Sequence, residues 1–142
     1  NAAEPHGRMA VLGNLNASLA HMQFRHRDEF VTKRRIIAEA YGKALAAGKH
    51  SAPSMVDPEA GPHAMFPVIL HGSRRDAEKY ARTKGVSTGR PFEESVIETP
   101  DFDAGAYPQA AALAMRTLLF PLYPLLRRED VERVTRVLAT LP

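Results

Sequence analysis

Between Met9 and Ala46 the chain contains no proline, and apolar residues recur there at helical spacing, first Leu12, Leu15, Leu19 and Met22, then Phe30, Ile37, Tyr41 and Leu45. That periodicity confines almost forty residues to helix. The charged run Arg25-His26-Arg27-Asp28-Glu29 interrupts the apolar stripe, so one long helix with a bend and two consecutive helices both fit. Gly48 is expected to end the segment in the left-handed conformation that glycine adopts without a Cβ penalty.

The remainder of the chain is punctuated very differently. Residues Ser51 to His63 hold Pro53, Pro58, Pro62 and Gly61, which is loop chemistry. Met65–Leu70 is a short apolar run whose Pro67 suits only an edge strand or a strand start. Ser73 is placed to cap a helix from Arg74 to Lys84 that buries Ala77, Tyr80 and Ala81 and stops at Gly85. Val86-Ser87-Thr88 then reads as a second strand. After a loop from Glu93 to Gly105, Tyr107-Pro108 opens a helix rich in small residues. Leu118-Leu119-Phe120 reads as a third strand stopped by Pro121, and Arg128–Leu138 as a last helix burying Val131, Val134, Val137 and Leu138. The expected fold is α+β: a long N-terminal helical segment, then a small three-stranded sheet packed with helices. Residues 1–8 read as an N-terminal tail, in which Asn1-Ala2 carries no functional weight, and 9–142 as a single domain.

Composition removes several classes of function. With 142 residues, 44% hydrophobic and 25% charged, the chain can bury a core. It has no cysteine, so disulfides and thiolate metal sites are excluded. The charge of +3 is small and its basic residues are interleaved with acids, which argues against nucleic-acid binding. No apolar run reaches membrane-spanning length and no signal-peptide pattern opens the chain, so a cytoplasmic protein without a membrane partner is expected. His21 and His26 are five apart and no HExxH pair exists, so no metal site is expected. No GxSxG elbow surrounds a serine, no glycine-rich phosphate loop occurs, and the adjacent Glu93 and Glu94 fit a solvated loop. No residue of this chain stands out as catalytic.

A sharper reading comes from motifs in order. Gly7-Arg8-Met9, then Leu15-Asn16-Ala17-Ser18-Leu19-Ala20, then Arg34-Arg35-Ile36-Ile37-Ala38-Glu39-Ala40-Tyr41, resemble the N-x-R-M motif, long helix and R-x-x-I-A-x-x-Y signature that open the C-terminal domain of DegT/DnrJ/StrS sugar aminotransferases. Gly85–Phe92 resembles that family's G-I-x-T-x-x-H-Y strand. Phe120-Pro121-Leu122-Tyr123-Pro124 resembles its L-P-L-Y-P turn, and Arg128–Val134 its last helix.

The resemblance implies the small domain of a fold-type-I aminotransferase. In the intact family enzyme a large domain carries pyridoxal phosphate on a lysine, and the domain seen here closes one side of the site and contributes to a homo-oligomer. The family's aldimine lysine lies before the matched segment, so Lys33, Lys43, Lys49, Lys79 and Lys84 are not its counterparts, and no cofactor is expected on this chain alone. His6 stands where the family has an asparagine at the cofactor phosphate, and with Arg8 it forms the implied cofactor-binding pair. Arg90 and Phe92 occupy the implied sugar-nucleotide-binding loop, with Pro91 and Phe92 replacing a histidine and a tyrosine. The alternative is a free-standing, non-catalytic interaction or dimerisation module derived from the same family.

Overall fold

The computed structural model describes residues 13–53, 64–91, 93 and 103–142. The proline-free segment forms two helices, α1 (Asn14–Arg25) and α2 (Arg27–Leu45), separated at His26, whose φ of −96° and ψ of 6° leave the helical region. The charged run breaks the helix because it is the end chemistry of one helix followed by the start chemistry of the next. Arg25 lies in the last turn of α1, beside the negative pole of its dipole, and Asp28 and Glu29 lie in the first turn of α2, beside the positive pole. Glu29 also takes a 2.7 Å ion pair from Lys33 one turn on, and that hydrogen bond holds its carboxyl below the usual range.

The two helices have opposite fates. α2 buries Ile37, Ala38, Tyr41 and Leu45 along one stripe, whereas none of the α1 residues is buried. The last turn of α2 tightens, with Ala47 N–H donating to Ala44 and Gly48 N–H to Leu45 at 3.2 and 2.9 Å. Contrary to the expectation from sequence, Gly48 is not left-handed: among the described glycines only Gly85 has positive φ. Contact does not require glycine there either, since a Cβ at position 48 would sit 3.5–3.7 Å from the carbonyl oxygens of Leu45, Leu138 and Ala139, an ordinary van der Waals distance.

Strands β1 (Phe66–Ile69) and β2 (Thr117–Phe120) pair antiparallel with Phe66 opposite Phe120 and Val68 opposite Leu118. These four side chains are buried on one face, against the stripes of α2 and of the last helix. Helix α3 (Arg74–Thr83) starts at Ser73, whose Oγ accepts from Asp76 N–H. Helix α4 (Pro108–Arg116) has proline in its first turn and runs directly into β2. Helix α5 (Arg128–Ala139) buries Val134, Val137 and Leu138 and packs along α2.

The sheet corrects the sequence reading, for it has two strands among the described residues rather than three. Val86-Ser87-Thr88 does not pair, and the segment meets β2 at Gly89 alone, which exchanges both backbone hydrogen bonds with Leu119 at 2.9 and 2.8 Å. In an antiparallel ladder the next bonded pairs would join residue 91 to 117 and residue 87 to 121. Positions 91 and 121 are both proline, which has no N–H to give, so the ladder stops on either side of one rung. Pro67 is tolerated in β1 for the complementary reason. Ile69, two residues on, turns its N–H and C=O outward to Ser51, so Pro67 faces that outer edge and not β2.

Candidate functional site

The one described residue of the predicted binding set, Arg90, is placed by a helix ending. Val86 N–H donates to Ala81 and Gly85 N–H to Arg82, at 2.9 and 3.0 Å, with Gly85 at φ 74° between them. This is a Schellman closure of α3, and its apolar partner residues Val86 and Ala81 are both buried. The chain therefore reverses past α3 and reaches β2 at Gly89, which sets Arg90 next to α3. Replacing Gly85 with alanine is expected to cost about 1–2 kcal/mol, because an L-residue is forced left-handed while space for the methyl exists; the urea unfolding midpoint checks it.

Arg90 does not stand alone. Its Nη2 lies 3.3 Å from Glu78 Oε2 on α3, while the other oxygen of Glu78 meets Arg82 at the same distance. Glu78 is four-fifths buried and Arg90 is half exposed, so the carboxylate is the fixed member of the pair. A single-point contact holds the guanidinium loosely and leaves its bidentate edge unused. Glu78→Gln is expected to change stability by less than about 1 kcal/mol, as exposed arginine pairs do, with the unfolding midpoint as the measurement. His6, Arg8 and Phe92 lie outside the described residues.

All five lysines of the chain are exposed. Lys33 is paired to Glu29, and Lys84 sits 5.6 Å over the ring of Tyr80. A lysine that carries pyridoxal phosphate needs an enclosed, desolvated setting to lower its basicity, and none of the five has one. The described residues therefore do not fit a cofactor cradle. Clefts are present elsewhere. One of about 490 Å³ lies between the ends of α3 and α5, lined by Tyr80, Lys84, Arg133, Arg136 and Thr140, and one of about 400 Å³ lies in the elbow of α1 and α2. Arg90 lines neither.

Sequence reasoning missed His50. It is buried, its Nδ1 accepts from His71 N–H at 3.1 Å, and its Nε2 lies 2.9 Å from the Pro142 carbonyl oxygen. A backbone N–H can only donate, so Nδ1 is the bare nitrogen and Nε2–H donates to Pro142. His50 thus ties the start of α3's loop to the end of α5. His71 stacks on it at 6.2 Å. Among the described residues no group of three metal-binding side chains converges.

The motif residues themselves converge on the core. Tyr41 is fully buried, meets Phe66 edge-on at 5.4 Å, and donates its hydroxyl to the Pro121 carbonyl at 3.2 Å. Burial drives its ionisation far above the usual tyrosine range. The R-x-x-I-A-x-x-Y segment and the Phe120–Pro124 turn, eighty residues apart, are therefore joined by that hydroxyl as well as by the packing of Ile37, Ala38 and Tyr41 with Phe120 and Leu122 in one core. A family model described as the DegT/DnrJ/EryC1/StrS aminotransferase family matches residues 3–139. The chain belongs to this family. Among its curated relatives is the dTDP-4-dehydro-2,3,6-trideoxy-D-glucose 4-aminotransferase of Saccharopolyspora spinosa, 28% identical over 132 residues, which are 90% of this chain and 34% of that one. Among solved structures, the aminotransferase TlmJ of Streptoalloteichus hindustanus superposes with a TM-score of 0.77 at 25% identity, over 97% of this chain and 38% of that one. Spr1654 of Streptococcus pneumoniae in its PLP-form gives 0.78 at 17% identity, over 89% and 34%, a likeness of fold. The chain thus spans about a third of the length of the family members it matches.

Proposed function

We propose that this chain is the C-terminal small domain of a pyridoxal-phosphate-dependent sugar-nucleotide aminotransferase, acting with a glutamate-type donor on a keto sugar. The observation that carries the reading is the family match over nearly the whole chain together with its coverage of only a third of each relative. Residues 9–142 then form one small domain, and the aldimine lysine belongs to the rest of a longer polypeptide. When bound there, the cofactor supplies the electron sink for amino transfer.

The part left to this chain is recognition. His6 and Arg8 would meet the cofactor phosphate of a partner subunit in a homo-oligomer. Arg90, held near the site by its loose contact with Glu78, would turn its free edge to a phosphate of the sugar nucleotide, and Phe92 would give that loop an apolar surface. No described helix is long and apolar enough to cross a bilayer; a cytoplasmic enzyme without nucleic-acid or membrane partners is part of the proposal.

The exposed α1 stripe also supports a second reading, a free-standing non-catalytic interaction or dimerisation module. Native size separates the two. An immunoblot of source cells with an antibody raised against this chain is expected to show a band well above 15.6 kDa, and that polypeptide is expected to transfer an amino group from glutamate to a keto sugar nucleotide. A band at 15.6 kDa, or a longer protein without aminotransfer, would overturn the enzyme reading.

A further inference from the structure

The cleft of about 490 Å³ between the ends of α3 and α5 is walled by three cations, Lys84, Arg133 and Arg136, and by no acidic side chain among the described residues. Lys84 and Arg136 are exposed, so the cleft is open to a ligand from solvent. Arg133 has its balance in Asp130, 3.1 Å away. Among the described residues neither of the other two has a carboxylate partner. The Lys84 ammonium lies 5.6 Å over the ring of Tyr80, and Nε of Arg136 donates to the Glu132 carbonyl at 3.3 Å, which leaves both Nη groups of Arg136 for another acceptor. Helix C-termini attract cations, and both helices end here: Lys84 caps α3 and Arg136 lies in the last turn of α5. Each helix end carries about half a negative charge, so the two ends offset about one of the two unpaired cations and roughly one positive charge is left over.

The neutral donors of the cleft are already committed. Thr140 Oγ1 donates to the Arg136 carbonyl at 2.8 Å, so the 2.8 Å contact between the two hydroxyls is a hydrogen bond from Tyr80 to Thr140. That bond also ties the end of α3 to the end of α5, so the walls are in place before a ligand arrives. The donors that remain are ammonium and guanidinium N–H groups, backed by the apolar surface of Val137 and Ala139, which strengthens their field in the cleft. Cationic donors of this kind match an oxyanion with several strong acceptor oxygens. We infer that the α3–α5 cleft binds a phosphate group, either the free ion or one carried by a small phosphorylated molecule. A carboxylate brings one charge and two oxygens, whereas a phosphate brings close to two charges and three oxygens, enough to engage Lys84 and Arg136 together. Neither Arg90 nor a cofactor enters this site, and it holds whether or not the chain is part of an aminotransferase.

Inorganic phosphate titrated into the 142-residue chain, whose core closes among its own helices and strands, tests the site, with ionic strength held constant by sodium chloride. The amide resonances of residues 82–86 and 136–140 are expected to shift and to saturate. Lys84→Met and Arg136→Met are each expected to weaken the affinity about tenfold or more, the loss of one charge-assisted hydrogen bond. Lys79→Met removes the same charge from an exposed position of α3 that does not line the cleft, and should leave the affinity unchanged. Unshifted core resonances of Phe66 and Leu118 show that each variant is folded. A nucleoside diphosphate titrated in the same way separates the two sources of phosphate: tighter binding with movement of the Tyr80 ring resonances assigns the cleft to a phosphate ester, and affinity no better than that of inorganic phosphate assigns it to the free ion. Absence of shifts, shifts that grow without saturating, or a loss from Lys79→Met as large as that from Lys84→Met would mean no more than diffuse attraction to a basic surface and would overturn the inference.

Discussion

Tyr41→Ala is expected to destabilise the fold by about 3–5 kcal/mol, the range for truncating a fully buried aromatic, which is a large share of the roughly 5–15 kcal/mol that holds a typical domain folded. The residue joins three parts of the core. Its ring packs edge-on against Phe66 of β1, its helix lies along α5, and its hydroxyl ties α2 to the turn after β2. Tyr41→Phe keeps the ring and loses one hydrogen bond, so about 1 kcal/mol is expected. Urea unfolding of both variants separates the packing contribution from the polar one. If alanine cost no more than phenylalanine, the hydroxyl would be the whole story and the aromatic contact incidental. A pH effect follows from the same burial. Because the folded-state ionisation lies above the unfolded one, the native chain retains a proton that the unfolded chain releases above about pH 10. Stability contributed by Tyr41 is therefore complete below pH 10 and falls as pH rises beyond it. Tyr41→Phe should remove that alkaline loss.

What the sequence disclosed was mostly what neighbouring residues decide. The apolar spacing of Ile37, Tyr41 and Leu45, the cap at Ser73, the closing Gly85 and the proline opening α4 all act within a few residues, and each lies where it was expected. The helix break at His26 was also local, since charge signs on either side of it suit two helix ends. The errors came from partners distant in the chain. Val86-Ser87-Thr88 has strand-like residues, but whether it pairs depends on Pro121 standing opposite Ser87, thirty-four residues away. The Glu78–Arg90 pair and the His50 tie to Pro142 likewise join segments that only the fold brings together. Of the candidate set, the structure describes Arg90 alone, and its carboxylate partner on α3 was not legible in the sequence.

Helix α1 is expected to be nearly unprotected against amide exchange in the 142-residue chain and protected about 10²- to 10⁴-fold within a longer polypeptide. Leu15, Leu19 and Met22 form one stripe at i, i+4 and i+7, and they are 75%, 54% and 62% exposed. A helix of twelve residues with no buried side chain is marginal by itself. Covering the stripe would contribute roughly 3–6 kcal/mol at about 1.5–3 kcal/mol per fully buried side chain, allowing for the part already covered. That magnitude decides between two behaviours. An association cost on the order of 4–15 kcal/mol offsets much or all of that gain when the partner is a separate chain. Inside one polypeptide most of that cost is absent, and the same burial appears as protection of α1, where roughly 3–6 kcal/mol corresponds to about two to four decades in exchange rate. Exchange measured by mass spectrometry on peptides from α1, with α2 peptides as the internal standard, reads this directly. Leu15→Gln, Leu19→Gln and Met22→Gln combined should abolish the protection in the longer polypeptide while leaving α2, whose buried stripe faces α5, unchanged. Strong protection of α1 in the 142-residue chain would show that its apolar face is already covered, by self-association or by this chain itself, and would remove the case for an outside partner.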